Sequence, residues 1–242
     1  LRFTAAVLAA AFLFALTGCG SSTNSASFTW FVDSIPANLD PQVASGASDV
    51  IACENLYGTL VRKDPDGELV PGLCEKWTVS PDGLTYTFTL KDGLTYAAAK
   101  GAATEYDITA EDFVFAFRRI FRADTASPYA VEFSAIQNSA AVQAGLADES
   151  SLGVSANGAL TLVFRLSERD DNFLAKLALP GAAPCDEAFF ESTRGTYGLT
   201  AKTTLASGSF YLYNWTTNGL FLRRTVESPL VGSLRLVQDT SG

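Results

Sequence analysis

The side chains that could do acid/base chemistry in this sequence are adjacent acids such as Glu111-Asp112 and Asp186-Glu187. Paired carboxylates catalyse the hydrolysis of glycosidic bonds in many enzymes. Neighbouring acids at the start of a helix, however, much more often stabilise the positive end of that helix. We therefore assign neither pair a catalytic role.

The chain contains no histidine, which excludes Ser-His-Asp and Cys-His catalysis and all histidine-based metal sites. It also contains neither the P-loop motif nor the glycine-rich dinucleotide-binding motif. The net charge of −9 over 242 residues argues against nucleic acid as a partner. The sequence thus predicts a protein that is not an enzyme and needs no cofactor and no metal.

The first of the four cysteines, Cys19, follows a segment typical of a signal peptide. Arg2 precedes an uncharged, mostly apolar run over residues 3–16, which is too short to span a membrane comfortably. The run ends in Leu-Thr-Gly-Cys, which resembles a bacterial lipobox, the motif in which the cysteine receives lipid. We expect residues 1–18 to be removed, Cys19 to be lipidated and residues 20–27 to form a flexible tether. The alternative is an ordinary secretory signal.

The remaining cysteines are odd in number and do not have the spacing of metal ligands. They allow one disulfide at most, and we expect small, buried apolar side chains instead. These residues are Cys53, Cys74 and Cys185.

Extended runs and turns dominate residues 69–94. Pro-Gly, Pro-Asp-Gly and Asp-Gly pairs separate three short runs, which predicts a β-meander. Residues 84–90 alternate large apolar side chains with threonines, so this strand should have one apolar face. Further strands are predicted over residues 28–32 and 160–166. A late hairpin is predicted from residues 209–213 and 220–224 around Thr217-Asn218-Gly219.

Helices are predicted over residues 49–60, after Thr109, and over residues 173–179. Thr109 and the acids that follow it resemble a capping box. Phe113, Phe117 and Ile120 recur at helical spacing, which predicts a face that packs in the core. Three arginines are expected on or near the exposed side of this helix: Arg118, Arg119 and Arg122. Strands and helices together indicate the α/β class.

An ordered series of motifs resembles the family 5 extracellular solute-binding proteins, the oligopeptide, dipeptide and nickel receptors of ABC importers. The motifs are NLDPQ (residues 38–42), NLYGTLVRKDPDG (55–67), LVPGL-x-E-x-W with S-x-DGLTYTF-x-L-x-DG (69–93), TAEDFVFAFRRI (109–120), TASPYA (125–130) and SGSFYLYNW (207–215). They run in the family's order with similar spacing.

The resemblance implies the first lobe of a two-lobed, class II periplasmic-binding-protein-like clamp with an inserted mixed subdomain. The first lobe would comprise residues 19–57 and 187–242, and the insert residues 58–186. The chain would end near the hinge, so the resemblance also implies that the second lobe is absent.

The resemblance further suggests where a ligand binds. In peptide-binding relatives, an extended segment after the LDP motif pairs with the peptide backbone. That segment is here Ser45, Gly46 and Ala47, called the candidate segment below, and Gly46 would let a ligand backbone approach closely. Tyr129 matches the tyrosine of the TASPYA-type motif, which lines a ligand pocket in the family.

The function implied is a substrate-binding lipoprotein of an ABC importer, which captures oligopeptides or dipeptides outside the membrane. The permease and the ATPase would be separate chains, the receptor a monomer, and its location the extracytoplasmic face of the cell membrane, held by the lipid anchor. The alternative is a truncated or repurposed surface lipoprotein with a structural or sensory role and no transport.

Overall fold

The computed structural model of the chain describes residues 26–226 and 231–239. The predicted signal peptide, Cys19 and most of the tether lie outside these residues. The strands are β1 (Ala26–Val32), β2 (Val61–Lys63), β3 (Leu69–Pro71), β4 (Cys74–Val79), β5 (Thr85–Leu90), β6 (Thr95–Ala97), β7 (Ala103–Asp107), β8 (Val154–Ala156), β9 (Thr161–Arg165), β10 (Phe210–Thr216), β11 (Gly219–Arg224) and β12 (Val231–Gln238). The α-helices are α1 (Ala47–Leu56), α2 (Ala110–Phe121), α3 (Ser139–Gln143), α4 (Phe173–Lys176) and α5 (Glu187–Ser192).

The first sheet joins the two ends of the described chain in the order β1-β12-β11-β10. Strands β10 and β11 form the predicted late hairpin, and β1 pairs with β12 in parallel. Leucines at alternate positions make one face of this sheet apolar, and these side chains are buried with the apolar side of α1. The leucines are Leu212, Leu220, Leu222, Leu234 and Leu236. We call this cluster the first core.

The second sheet, β4-β5-β9-β8, is antiparallel throughout and packs against α2. The alternation predicted for β5 is confirmed, since Tyr86, Phe88 and Leu90 are buried while the threonines between them are partly exposed. Phe164 of β9 stands at the centre of a group of edge-to-face rings, with its centroid 4.9 Å from Phe117 and 5.4 Å from Phe173. Edge-to-face pairs add to the stabilisation that burial provides. We call this cluster the second core.

The chain changes from the first core to the second between Tyr57 and Leu60, and returns near Ala183. The domain boundaries at residues 58 and 186 stay a prediction, because membership of a core does not by itself show two separate folding units. A small third cluster of buried side chains lies with Cys185 and Tyr197.

Three local predictions were wrong in detail. The run 69–71 does not continue the meander but pairs with β2, because Gly72 lets the backbone turn against Thr59 and Leu60 so closely that an added Cβ would lie 2.2 Å from the Thr59 carbonyl oxygen. Helix α1 ends at Leu56 rather than residue 60, since Tyr57 is extended and its hydroxyl donates to the Leu39 carbonyl. Residues 26–27, expected in the tether, belong to β1.

The cysteines behave as expected, because Cys53, Cys74 and Cys185 are all buried and free. Within residues 26–226 and 231–239, the model contains no helix of the length and apolar character that a membrane crossing requires.

Helix α2 begins at the predicted cap. The Thr109 N–H donates to the Asp112 carboxylate at 2.9 Å, as in a capping box. Asp112 is buried, and burial raises the pKa of its carboxyl to about 7; the nearby Asp186 and Glu111 carboxylates raise it as well, whereas the Thr109 N–H acts in the opposite direction. The folded chain therefore retains a proton on Asp112 over a pH range in which the unfolded chain has lost it.

We expect this proton to make the free energy of unfolding depend on pH. Since the pKa in the folded chain lies above the unfolded value of 3.8, the contribution of Asp112 to stability is full below about pH 4 and is lost as the pH rises to about 7. Asp112→Asn keeps an acceptor for Thr109 but cannot ionise. Urea denaturation across this range should show a flatter pH dependence for Asp112→Asn than for the wild type. Glu75→Gln, at an exposed position of β4, is the control and should leave the slope unchanged; equal slopes for Asp112→Asn and the wild type would contradict the assignment.

Candidate ligand-binding site

The candidate segment is exposed and enters the first turn of α1. Ser45, Gly46 and Ala47 are all accessible to solvent. Gly46 is the N-cap residue of α1, with extended angles of φ −67° and ψ 141°, and no side chain caps this helix end. Among the residues that the structure describes, no acceptor is paired with the Gly46 N–H. The segment therefore offers an accessible backbone donor. Ala47 already belongs to α1, so only Ser45 and Gly46 are non-helical.

Tyr129 lies next to this segment but beneath it. Its side chain is buried, and its hydroxyl donates to the Ala44 carbonyl at 3.3 Å. Gly181 packs against the ring so closely that an added Cβ would lie 2.3 Å from the Tyr129 Cγ. Burial raises the pKa of Tyr129 to about 12, so the hydroxyl remains a donor. The structure thus brings Tyr129 and the candidate segment together, with the ring supporting the segment from below rather than facing an open pocket.

The prediction that Arg119 lies on or near the exposed side of α2 was wrong. Its side chain is only 3% exposed and forms an ion pair with Asp40, whose side chain is 8% exposed. The guanidinium contacts both carboxylate oxygens, with Nη1 at 3.2 Å from Oδ1 and Nη2 at 2.5 Å from Oδ2. It also stacks on Phe190, with Cζ 4.0 Å from the ring centroid. Arg118 and Arg122, in contrast, are partly exposed.

Gln42 extends this polar contact. Its Oε1 accepts from Arg119 Nη1 at 2.6 Å, and its Nε2 donates to the carbonyls of Gly181 and Ala183 at 3.2 and 2.9 Å. Its own carbonyl accepts from the Ser127 hydroxyl at 2.5 Å. The oxygen of this buried side-chain amide is therefore bonded to α2, and its nitrogen to residues 181 and 183, where the chain leaves the second core. Gln42 is thus held from two sides.

The other end of the candidate segment is fixed by Asp49 in the first turn of α1. Asp49 Oδ1 accepts from the Ala37 N–H at 2.7 Å and from the Asn38 N–H at 3.3 Å. The loop of residues 39–44, called the anchored loop below, is therefore held at both ends, by Asp49 at Asn38 and by Tyr129 at Ala44. The candidate segment follows directly from it.

A sequence signal for the burial of Arg119 exists in α2. The run Phe-Val-Phe-Ala-Phe at residues 113–117 contains no polar side chain, and a helix that is apolar on all sides is buried on all sides. Phe115 and Arg119 are one turn apart, and Phe115 belongs to the third cluster. The sequence therefore contains a signal for a second buried face of α2, with Phe115, beside the face with Phe113 and Phe117 that the helical spacing indicated.

A separate groove of about 1180 Å³ lies where the two cores meet. Its walls include Tyr57, Tyr96, Leu179 and Tyr211, but neither the candidate segment nor Tyr129. The charged side chains that line it are Glu54, Arg62, Lys63, Lys91 and Arg224. Burial raises the pKa of the Glu54 carboxyl.

One acid of each pair considered at first for catalysis accepts a hydrogen bond at the start of a helix. Asp112 accepts from Thr109, and Asp186 Oδ1 accepts from the Phe189 N–H at 2.6 Å at the start of α5. In the described part of the chain, no group of histidine, cysteine, aspartate and glutamate side chains is arranged to hold a metal ion. The candidate site is thus an exposed backbone surface next to buried polar contacts.

The model of the family described as bacterial extracellular solute-binding proteins, family 5 Middle, matches residues 68–224, more than half of the chain. The oligopeptide-binding protein AliA of Streptococcus pneumoniae is 29% identical over 222 residues, which are 91% of this chain and 32% of AliA. The probable deoxycholate-binding periplasmic protein YgiS of Escherichia coli is 32% identical over 185 residues, 76% of this chain and 33% of YgiS. The chain therefore spans about a third of the length of these relatives.

Among solved structures, the substrate-binding domain of an oligopeptide ABC transporter from Bacillus anthracis superposes with a TM-score of 0.80 at 27% identity. The match covers 88% of this chain and 41% of that one, the extent of one lobe. Fold and family motifs thus agree over most of the described residues. The chain belongs to family 5 of the bacterial extracellular solute-binding proteins.

Proposed function

We propose that this chain forms the first lobe of an extracytoplasmic receptor that binds peptides and delivers them to an ABC importer. The observation that carries the proposal is the candidate segment, whose exposed backbone is held on one side by the buried contact of Tyr129 with Ala44 and on the other by Asp49. An extended peptide can pair with such a backbone in the way that a strand adds to a sheet edge, with main-chain hydrogen bonds supplying affinity for many sequences.

The relatives support this proposal. AliA is named an oligopeptide-binding protein, and the Bacillus anthracis structure is the substrate-binding domain of an oligopeptide transporter. The chain has no nucleotide-binding motif, so the permease and the ATPase would be separate chains. The receptor would act as a monomeric binding protein without a catalytic step.

Gly46→Pro tests the pairing of the candidate segment with a peptide. Proline fits the observed φ of −67° at Gly46, so the backbone can keep its conformation, but the N–H donor is lost. We expect peptide affinity to fall about tenfold, as for the loss of one hydrogen bond at a binding site. The assay is calorimetric titration with a library of random-sequence pentapeptides. The protein is a two-lobed chimera, in which this chain is continued by the unmatched part of the Bacillus anthracis protein.

Gly46→Ala is the matched control, because it adds the same Cβ, 3.2 Å from Asp49 Oδ2, but keeps the N–H. Affinity should stay near that of the parent chimera. Equal affinities for the proline and alanine variants, both shown to be folded by circular dichroism, would refute pairing at Gly46.

YgiS gives a specific reason to test a second class of ligand, since it is named a probable deoxycholate-binding protein. The same chimera is therefore titrated with deoxycholate. Binding of peptides without binding of deoxycholate supports the proposed function, whereas binding of deoxycholate alone contradicts it.

We further propose that Cys19 is the lipidated first residue of the mature protein, because an apolar run ending in Leu-Thr-Gly-Cys precedes it. Thioether-linked lipid would hold the receptor at the extracytoplasmic face of the membrane. Cys19→Ser should move the protein from the membrane fraction to the soluble fraction of cells that express it. Cys53→Ser, at a buried cysteine, is the control and should leave the distribution unchanged. Mass spectrometry that finds an uncleaved chain with unmodified Cys19 would overturn the assignment.

A further inference from the structure

The anchored loop has no regular secondary structure, yet its polar groups are held tightly. Within it, the Val43 and Ala44 N–H groups donate to the Asp40 carbonyl at 3.1 and 2.9 Å, and the Gln42 N–H donates to Asp40 Oδ1 at 3.1 Å. The side chain of Asp40 is therefore part of the turn itself. Any group that orients this carboxylate also orients the backbone that leads to the candidate segment.

Arg119 is the group that orients it. A guanidinium presents its donors in a rigid, planar fork, so a two-point contact with a carboxylate fixes direction as well as distance. Nη1 adds a third contact, to Gln42. The stacking on Phe190 fixes the plane of the guanidinium in turn.

Taking both charges out of water has a large cost, and a buried ion pair is often no more stabilising than apolar side chains of similar volume. Stability alone therefore does not account for this pair, whereas a requirement for one particular loop geometry does. A second ion pair, at the C-cap of α2, differs in this respect. Arg122 Nε contacts Glu149 Oε1 at 2.8 Å, with side chains 28% and 38% exposed, and the described hydrogen bonds of the Arg122 side chain go to Glu149 rather than to the anchored loop.

We propose that Arg119 is a positioning residue: through Asp40 and Gln42 it fixes the anchored loop, and thereby the geometry in which the candidate segment is presented. The ligand side of this inference rests on the proposed function. The fixing of the loop does not, since it can be measured on the chain without any ligand.

The test separates positioning from stability with an apolar replacement of the pair, Asp40→Leu/Arg119→Met. The replacement removes both buried charges, so the chain is expected to stay folded, while the fork and the carboxylate acceptor are lost. Hydrogen exchange of the purified chain, read by NMR, should show the Val43 and Ala44 amides, whose acceptor is the backbone carbonyl of residue 40 that the replacement keeps, exchanging about tenfold faster or more. Amides of β5 should exchange at the wild-type rate.

Arg122→Met/Glu149→Leu, at the C-cap of α2, is the matched control, and it should leave the two loop amides unchanged. Unchanged exchange in Asp40→Leu/Arg119→Met, or equal acceleration in β5 and the loop, would overturn the inference, because the pair would then have no effect or only a global one. If the doubly replaced chain is too unstable to measure, Arg119→Lys provides the same readout, since a single ammonium point cannot reproduce the fork; loop amides as slow as in the wild type would then contradict the proposal.

The two-lobed chimera supplies the second readout. Asp40→Leu/Arg119→Met in the chimera should weaken binding of the pentapeptide library about tenfold, because a segment that is no longer preorganised must be ordered on binding. Faster loop exchange with unchanged affinity would refute positioning for a ligand. If the parent chimera binds no peptide, the proposed function fails, while the exchange result still decides whether Arg119 fixes the loop.

Discussion

Replacing Arg119 alone by methionine is expected to lower the free energy of unfolding by about 3–5 kcal/mol, the loss typical of breaking a buried ion pair by removal of one partner. The cause is the charge left behind. Asp40 is 5% exposed, so its carboxylate would stay buried without a counter-ion, and the Gln42 amide oxygen would lose its donor as well. Urea denaturation of the purified chain, followed by circular dichroism, measures the change.

The matched comparison is Arg122→Met at the C-cap of α2. That arginine and its partner Glu149 are partly exposed, and pairs of this kind contribute about 1 kcal/mol or less. The apolar double replacement Asp40→Leu/Arg119→Met should recover much of the loss seen in Arg119→Met, because no unpaired charge remains. An Arg119→Met chain within about 1 kcal/mol of the wild type would show that water reaches the pair and that it is not buried.

The elements that sequence alone predicted are those whose signals are local. The alternation in β5, the cap of α2 and the turn between β10 and β11 each depend on residues within a few positions of one another. Backbone angles at Gly83 and Gly93, both with positive φ, follow from the Asp-Gly pairs that were read as turns. Such features form in the same way whatever surrounds them.

The features that were missed depend on residues far apart in the chain. Arg119 and Asp40 are 79 positions apart, and nothing near either residue indicates the other. The pairing of β3 with β2 rather than β4 is likewise decided by packing around Gly72. Helical spacing assigned α2 a single buried face, but the helix lies between the second core and the third cluster, so its second face is buried as well.

The site itself could not have been located from periodicity. Ser45, Gly46 and Ala47 form an ordinary small-residue loop by composition, and only the family resemblance singles them out. The structure adds what the resemblance does not give, namely that Tyr129, Ser127 and Arg119 all hydrogen-bond to residues 42–44, just before this loop. Three side chains from distant parts of the chain thus hold the backbone that leads into the candidate segment.

The 242-residue chain by itself is expected to bind peptides about a thousandfold more weakly than the two-lobed chimera, a difference of about 4 kcal/mol. A clamp gains affinity when two lobes close over the ligand, because its polar groups are then satisfied from both sides away from water. The candidate segment lies on an open, solvent-exposed surface of this chain. A peptide bound there loses its conformational freedom in full but gains only the contacts of one side.

Titration of both proteins with the same pentapeptide library measures the ratio. Gly46→Pro in the chimera is the reference for a clamp that closes with one backbone contact missing, and it should still bind far more tightly than the chain alone. The two cores and the buried ion pair lie within the described residues, so the chain alone is expected to fold. Circular dichroism verifies that weak binding by the chain is not a consequence of unfolding. Micromolar or tighter binding by the chain alone would contradict the two-lobe account and show that one lobe with a preorganised segment is sufficient for recognition.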